Sequence, residues 1–144
     1  MEKIVIGFLV VWVMGAVISV WYVIAGIKKT NMIFGSISAH PFIFQEKRCS
    51  GYSKKSIFTR LGGARNVLEV IVTDKELCIK GIMSLFTFIG TKYDLSHRVP
   101  LVNISNVKQV KNNIELQLKT AEGSTSEIVL TLKNPGGFMA AMNG

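Results

Sequence analysis

Asn66–Gly81 reads NVLEVIVTDKELCIKG. The first half is dense in β-branched residues, Asp74-Lys75 supplies a tight turn, and the second half returns as a strand. Along Glu76–Gly81, Leu77 and Ile79 alternate with Cys78 and Lys80, so one face is buried and Cys78 belongs to the other. The fold then depends on how many such units the flanking sequence adds.

Downstream, Leu95–Leu101 reads as a weaker strand whose Pro100, lacking a backbone donor, belongs at an edge or an end. Ile104–Val110 follows. Asn112-Asn113 suits a hairpin turn at positive φ, and Ile114–Thr120 alternates cleanly. Ala121–Ser124 turns the chain into Ser126–Lys133, which alternates again. Upstream, Ser56–Leu61 reads as a further strand ended by Gly62-Gly63. Asn134 as N-cap and Pro135 at the first helical position open a short C-terminal helix, with Phe138, Met139 and Met142 as its apolar contacts. The expectation is a mainly β domain over residues 56–144, about seven short strands closed by one helix. No helical pattern lies between the strands, which disfavours a layered α/β fold. A domain this small must bend its sheet into a barrel or sandwich to enclose a core.

The N-terminus is of another kind. Ile4–Ile27, IVIGFLVVWVMGAVISVWYVIAGI, carries no charge. Its 24 positions reach about 36 Å as a helix, against a hydrocarbon core of about 30 Å. Only a helix satisfies its own backbone groups in lipid. Trp21 and Tyr22 suit the headgroup level, and Lys28 and Lys29 end the run. A cleaved signal peptide is the competing reading, with Lys3 as a weak n-region and Val23-Ile24-Ala25 as a cleavage site. The apolar run is longer than such a segment needs, and Trp21 and Tyr22 sit where small residues are preferred. Residues 1–29 are therefore read as a single-pass anchor. Basic residues downstream of it favour an outside N-terminus and a cytoplasmic C-terminal domain at the inner (plasma) membrane. Cys49 and Cys78 look unpaired, which fits a reducing compartment. Gly7, Gly15 and Gly26 form no GxxxG face, so self-association through the helix is unsupported.

Of 144 residues 49% are hydrophobic and 18% charged, too apolar for a disordered tail. The net charge of +8 belongs to the part beyond the anchor. Lys28, Lys29, Lys47, Arg48, Lys54, Lys55, Arg60 and Arg65 are opposed over residues 28–65 only by Glu46. Residues 30–55 read as a basic juxtamembrane linker. Such cations are attracted to anionic headgroups, although their bland role is to set topology and keep the protein soluble. Met83–Gly90, MSLFTFIG, is too apolar for an ordinary loop. It covers the domain's own core or, with Leu85, Phe86, Phe88 and Ile89 outward, forms an interface.

Gly63, Ala64, Asn66, Leu68, Val70, Val72 and Thr73, then His97, Val99, Pro100 and Leu101, then Asn134, Pro135, Phe138, Ala141 and Met142 form a recurrent pattern. Over residues 62–142 the chain resembles small bacterial membrane-anchored proteins of unknown function related to pleckstrin-homology-like domains. The resemblance implies a small β-barrel with a helix plugging one open end. It carries no catalytic motif.

Chemistry is sparse. His40 precedes Pro41 in an extended segment, and His97 reads as a structural or exposed strand residue. Neither has a Cys or His at metal-ligand spacing. Glu69, Asp74, Glu76 and Asp94 read as solvated surface charges. Gly62-Gly63-Ala64-Arg65 is no phosphate loop, since it precedes a strand. Asn103-Ile104-Ser105 matches a glycosylation acceptor that matters only in a lumenal domain. No catalytic, cofactor or metal residue is assigned and no enzyme is expected. Nucleic acid is a poor partner for a domain tethered to a bilayer. The expected function is a non-catalytic binding or scaffold module at the membrane face, for anionic lipid or a protein partner. Its contact residues are Lys28, Lys29, Lys54, Lys55, Arg60 and Arg65, with Phe86 and Phe88 as apolar anchors. The alternative is an accessory structural subunit of a membrane complex.

Overall fold

The computed structural model describes residues 2–35, 37, 41–120 and 123–143. His40 and part of the Ala121–Ser124 turn lie outside them. The elements are α1 (Glu2–Phe34), β1 (Phe42–Ser53), α2 (Ile57–Leu61), β2 (Ala64–Thr73), β3 (Glu76–Gly81), α3 (Ser84–Lys92), β4 (His97–Pro100), β5 (Ile104–Val110), β6 (Asn113–Lys119), β7 (Thr125–Thr131) and α4 (Pro135–Asn143). The molecule is thus an N-terminal apolar helix, a seven-stranded antiparallel open sheet and a C-terminal helix, with strand order β4-β3-β2-β1-β7-β6-β5.

β1 joins the two wings of that sheet. Phe42–Gly51 pair with β2, whereas Ser50–Ser53 pair with β7. The change of partner comes with register shifts around Arg48, at φ 61°, and at Gly51. A Cβ on Gly51 would lie 2.9 Å from the Val129 carbonyl and from a Leu130 methyl, so only glycine lets β1 cross to β7 there. One core takes Leu77 and Val99 from one wing and Leu116 and Leu118 from the other. A single cluster fed from both wings requires the sheet to bend around it. Phe138 of α4 fills the centre and meets Phe44 edge to face at 5.6 Å. Asn134 caps α4 by accepting from the Gly137 amide at 2.9 Å.

Several sequence expectations shift. Residues 42–53, inside the stretch read as a linker, are the central strand. Their polar residues are satisfied locally: Glu46 accepts from the Lys133 and Asn134 amides, and Gln45 donates to Glu69. Ser56–Leu61 is helix rather than strand. Ser56 accepts from the Thr59 amide while the Thr59 hydroxyl accepts from the Ser56 amide, a capping box that starts a helix. Met83–Gly90 lies mostly in helix α3. The β5–β6 hairpin turns on Lys111-Asn112, one residue early, with Lys111 at φ 57°. The alternating strands, the Asp74-Lys75 turn, Pro100 at the end of an edge strand and the Asn134-Pro135 helix start stand as read.

α1 is the one described helix long and apolar enough to span a membrane. It runs past Lys28 and Lys29 to Phe34 without a break. Its far end is packed on the domain: Phe34 and Ile37 bury against Ile71 and Cys78, on the sheet face opposite the main core. Cys78 therefore does face away from Leu77 and Ile79, into a second small core. Arg98 fastens the junction. It donates to Glu76 through Nε (2.9 Å) and Nη2 (2.8 Å), and through Nη1 to the Ile33 carbonyl at 2.7 Å. A cation on the last carbonyls of a helix completes its C-terminus and opposes its dipole.

Candidate functional site

Two surface features stand apart from ordinary packing, and both lie where α3 ends. The first is the seam between α3 and α1. The two helices run antiparallel, because Thr87 lines one recess with Phe34 and Asn31 while Lys92 reaches Tyr22. Gly26 is the contact point: a Cβ there would run into the Phe88 ring. Phe88 also meets Tyr22 edge to face at 6.1 Å. The Lys92 ammonium donates to the Tyr22 hydroxyl at 3.0 Å and sits 5.5 Å from the centre of that ring. Beside this seam a groove of about 500 Å³ opens between the helices. Ala25, Ile33 and Phe88 give it an apolar floor and Lys29 and Lys92 its charge, and among the described residues no carboxylate lines it.

The second feature is α2. Ile57, Phe58 and Leu61 are 73, 81 and 82% exposed, so a five-residue helix presents three large apolar side chains to solvent. Lys54 and Lys55 precede it, Arg60 lies on it, and Arg65 follows in β2. A Cβ on Gly62 would lie 2.6 Å from the Tyr93 ring, which puts the end of α2 against the residue after α3. The same end of the domain is tied by Asp94. Its Oδ2 accepts from Ser53 of β1 (2.8 Å) and from Ser126 of β7, and its Oδ1 lies 3.2 Å from His97 Nε2. Asp94 stands at φ 57°, a backbone conformation that Asp and Asn tolerate better than most residues. Burial alone would raise its carboxyl, but the bonds from His97, Ser126 and Ser53 prevail and hold it well below the usual carboxylate range.

Lys55, Arg60 and Arg65 are exposed on, or within a few residues of, α2, whereas Lys54 is half-buried and 3.3 Å from Glu115 of β6. Lys28 and Lys29 are exposed on α1. Of the two phenylalanines named as anchors, Phe88 is half-buried on α1, and Phe86 keeps 36% of its surface. Three acids read as solvated are engaged instead. Glu69 is buried between Gln45, Lys47 and Lys80, Glu76 holds Arg98, and Asp94 ties three elements together. Asp74 is exposed. Read as a strand, Ser56–Leu61 does not show the apolar face of α2; the signal for it in the sequence is the Ser56 and Thr59 spacing.

Among the described residues, no group of three or more His, Cys, Asp or Glu side chains converges to hold a metal ion. Cys49 and Cys78 are free and buried. Burial, reinforced by Glu46, pushes the Cys49 thiol up to about 12, and burial pushes Cys78 to about 12. A nucleophilic thiol needs its thiolate. Native protein at pH 7.5 should therefore leave a maleimide unreacted over hours, while the denatured chain titrates two thiols. Rapid labelling of either cysteine in the native state would contradict the burial. No protein-family model matches the chain, and no curated protein matches it.

Proposed function

We propose that the chain is a single-pass membrane protein whose non-catalytic, pleckstrin-homology-like domain is held against the cytoplasmic face of the plasma (inner) membrane and binds anionic lipid there. Seven antiparallel strands, a bent sheet and a C-terminal helix with Phe138 in the core support the domain reading. α1 is 33 residues long, about 50 Å, whereas the hydrocarbon takes about 20 residues. The surplus is the stretch from Tyr22 onward, which is packed on α3 and clamped by Arg98. With Tyr22 and the Lys92 ammonium at the headgroups, the domain cannot swing free of the bilayer.

The observation that carries the reading is α2. It carries three exposed apolar side chains and ends against Tyr93, at the end of α3 that points along α1 toward the apolar run. An apolar tip with exposed Lys55, Arg60 and Arg65 on or near it in the chain suits an interface with acidic headgroups above and acyl chains below. The test labels Phe58→Cys with an environment-sensitive fluorophore in the full-length protein, the buried native thiols staying silent. In vesicles containing phosphatidylglycerol the probe should shift blue and be quenched by lipid-borne quenchers. Ile57→Ser with Leu61→Ser should reverse both effects. A probe that stays in water at low salt, where charge acts over the longest range, would sink the reading.

A further inference from the structure

The groove between α1 and α3 has no assigned role in the contact made by α2. We infer that it is a binding site for one anionic phospholipid, its headgroup laid on Ala25, Gly26 and Phe88 between Lys29 and Lys92 and its acyl chains leaving past Tyr22 toward the apolar run. The inference rests on the proposed crossing of the bilayer by α1. Three observations carry it. The groove is of the right size, about 500 Å³, for a headgroup and the top of a chain. Its charge is one-signed among the described residues: two ammonium groups and no carboxylate, which selects an anion. Its depth is fixed by Tyr22, whose hydroxyl already takes the Lys92 ammonium at 3.0 Å, the level at which a lipid phosphate lies. Gly26 lets the Phe88 ring close one wall. Exposed side chains of α1 on the same helix face and on the bilayer side of Tyr22, such as Ile18 and Val11, continue the apolar track into the hydrocarbon.

The test is native mass spectrometry of the full-length protein released from nanodiscs of equal phosphatidylcholine and phosphatidylglycerol. The wild type should retain one phosphatidylglycerol per chain in preference to phosphatidylcholine. Lys29→Gln with Lys92→Gln should weaken retention roughly fivefold per lysine, about 25-fold together. Ala25→Phe should expel the lipid by filling the groove with both charges in place. Retention at the wild-type level by the lysine variant, or equal retention of the two lipids, overturns the inference. The variant Ile57→Ser, Phe58→Ser, Leu61→Ser separates the two claims. It should lose the surface contact and keep the groove lipid, and loss of that lipid as well would also overturn the site.

Discussion

Phe138→Ala should lower the stability of the β domain by about 3–5 kcal/mol, the range for emptying a large aromatic site in a closed core. Phe138 is fully buried and is the one residue of α4 that is. Its ring meets Phe44 of β1 and lies in the cluster fed by both wings of the sheet. α4 has nine residues, two of them Gly136 and Gly137, and a helix this short does not persist alone. Removing the ring therefore both leaves a cavity and unpins the element that closes the core. Since small domains are stable by about 5–15 kcal/mol, the variant stands near the threshold. Urea unfolding in mild detergent, followed by near-ultraviolet circular dichroism, measures the change. Phe58→Ala on α2, 81% exposed, is the control and should shift stability by no more than about 0.5 kcal/mol. Equal effects at the two positions would mean that α4 does not close the core.

The contrast between those two phenylalanines shows what the sequence makes legible. Phe138 follows Asn134-Pro135, a local signal for a helix start, and its apolar neighbours mark a face. β6 and β7 alternate because one face meets the core, and that pattern is local too, whereas β2 and β3 are buried on both faces, by the main core and by Phe34 and Ile37. β1 is illegible by the same rule. A bulge at Arg48 breaks the alternation, and its polar side chains find partners from Glu69, Lys133 and Asn134 that only the fold brings near. The setting of Phe88 is not local either: its half-burial depends on the antiparallel docking of α3 on α1, which turns on the absence of a side chain at Gly26. The basic residues were legible as a segment but not as a place. Folding divides them between α1 and the surroundings of α2, and adds Lys92, which no local pattern singled out.

Asp94→Ala should cost about 3 kcal/mol and should also remove a pH dependence that the wild type shows. Ser53 and Ser126 are buried, and each donates to the Asp94 carboxylate. Hydrogen bonds to a charged group are worth about 1.5–3 kcal/mol, and buried hydroxyls left without a partner add their own penalty. Because one carboxylate serves both serines and His97, the losses are not additive. The folded carboxyl ionises well below its unfolded value of about 3.9. The unfolded chain therefore binds the proton first as pH falls. Asp94 contributes its full stabilisation above about pH 4 and loses it progressively as pH drops from there toward the lower folded value. Asp94→Asn isolates the charge, since Asn keeps the shape and tolerates the φ of 57° at this position. The Asn variant should be less stable than wild type at pH 7, and its stability should fall less between pH 5 and pH 3. Chemical denaturation at those three pH values reads both effects. Parallel acid limbs for wild type and Asp94→Asn would assign the acid sensitivity to other groups and leave Asp94 as a neutral hydrogen-bond acceptor. The consequence reaches the end of the domain that carries α2 as well. Asp94 follows Tyr93, the residue against which α2 ends, so its loss should raise amide exchange in α2 before it raises exchange in β6.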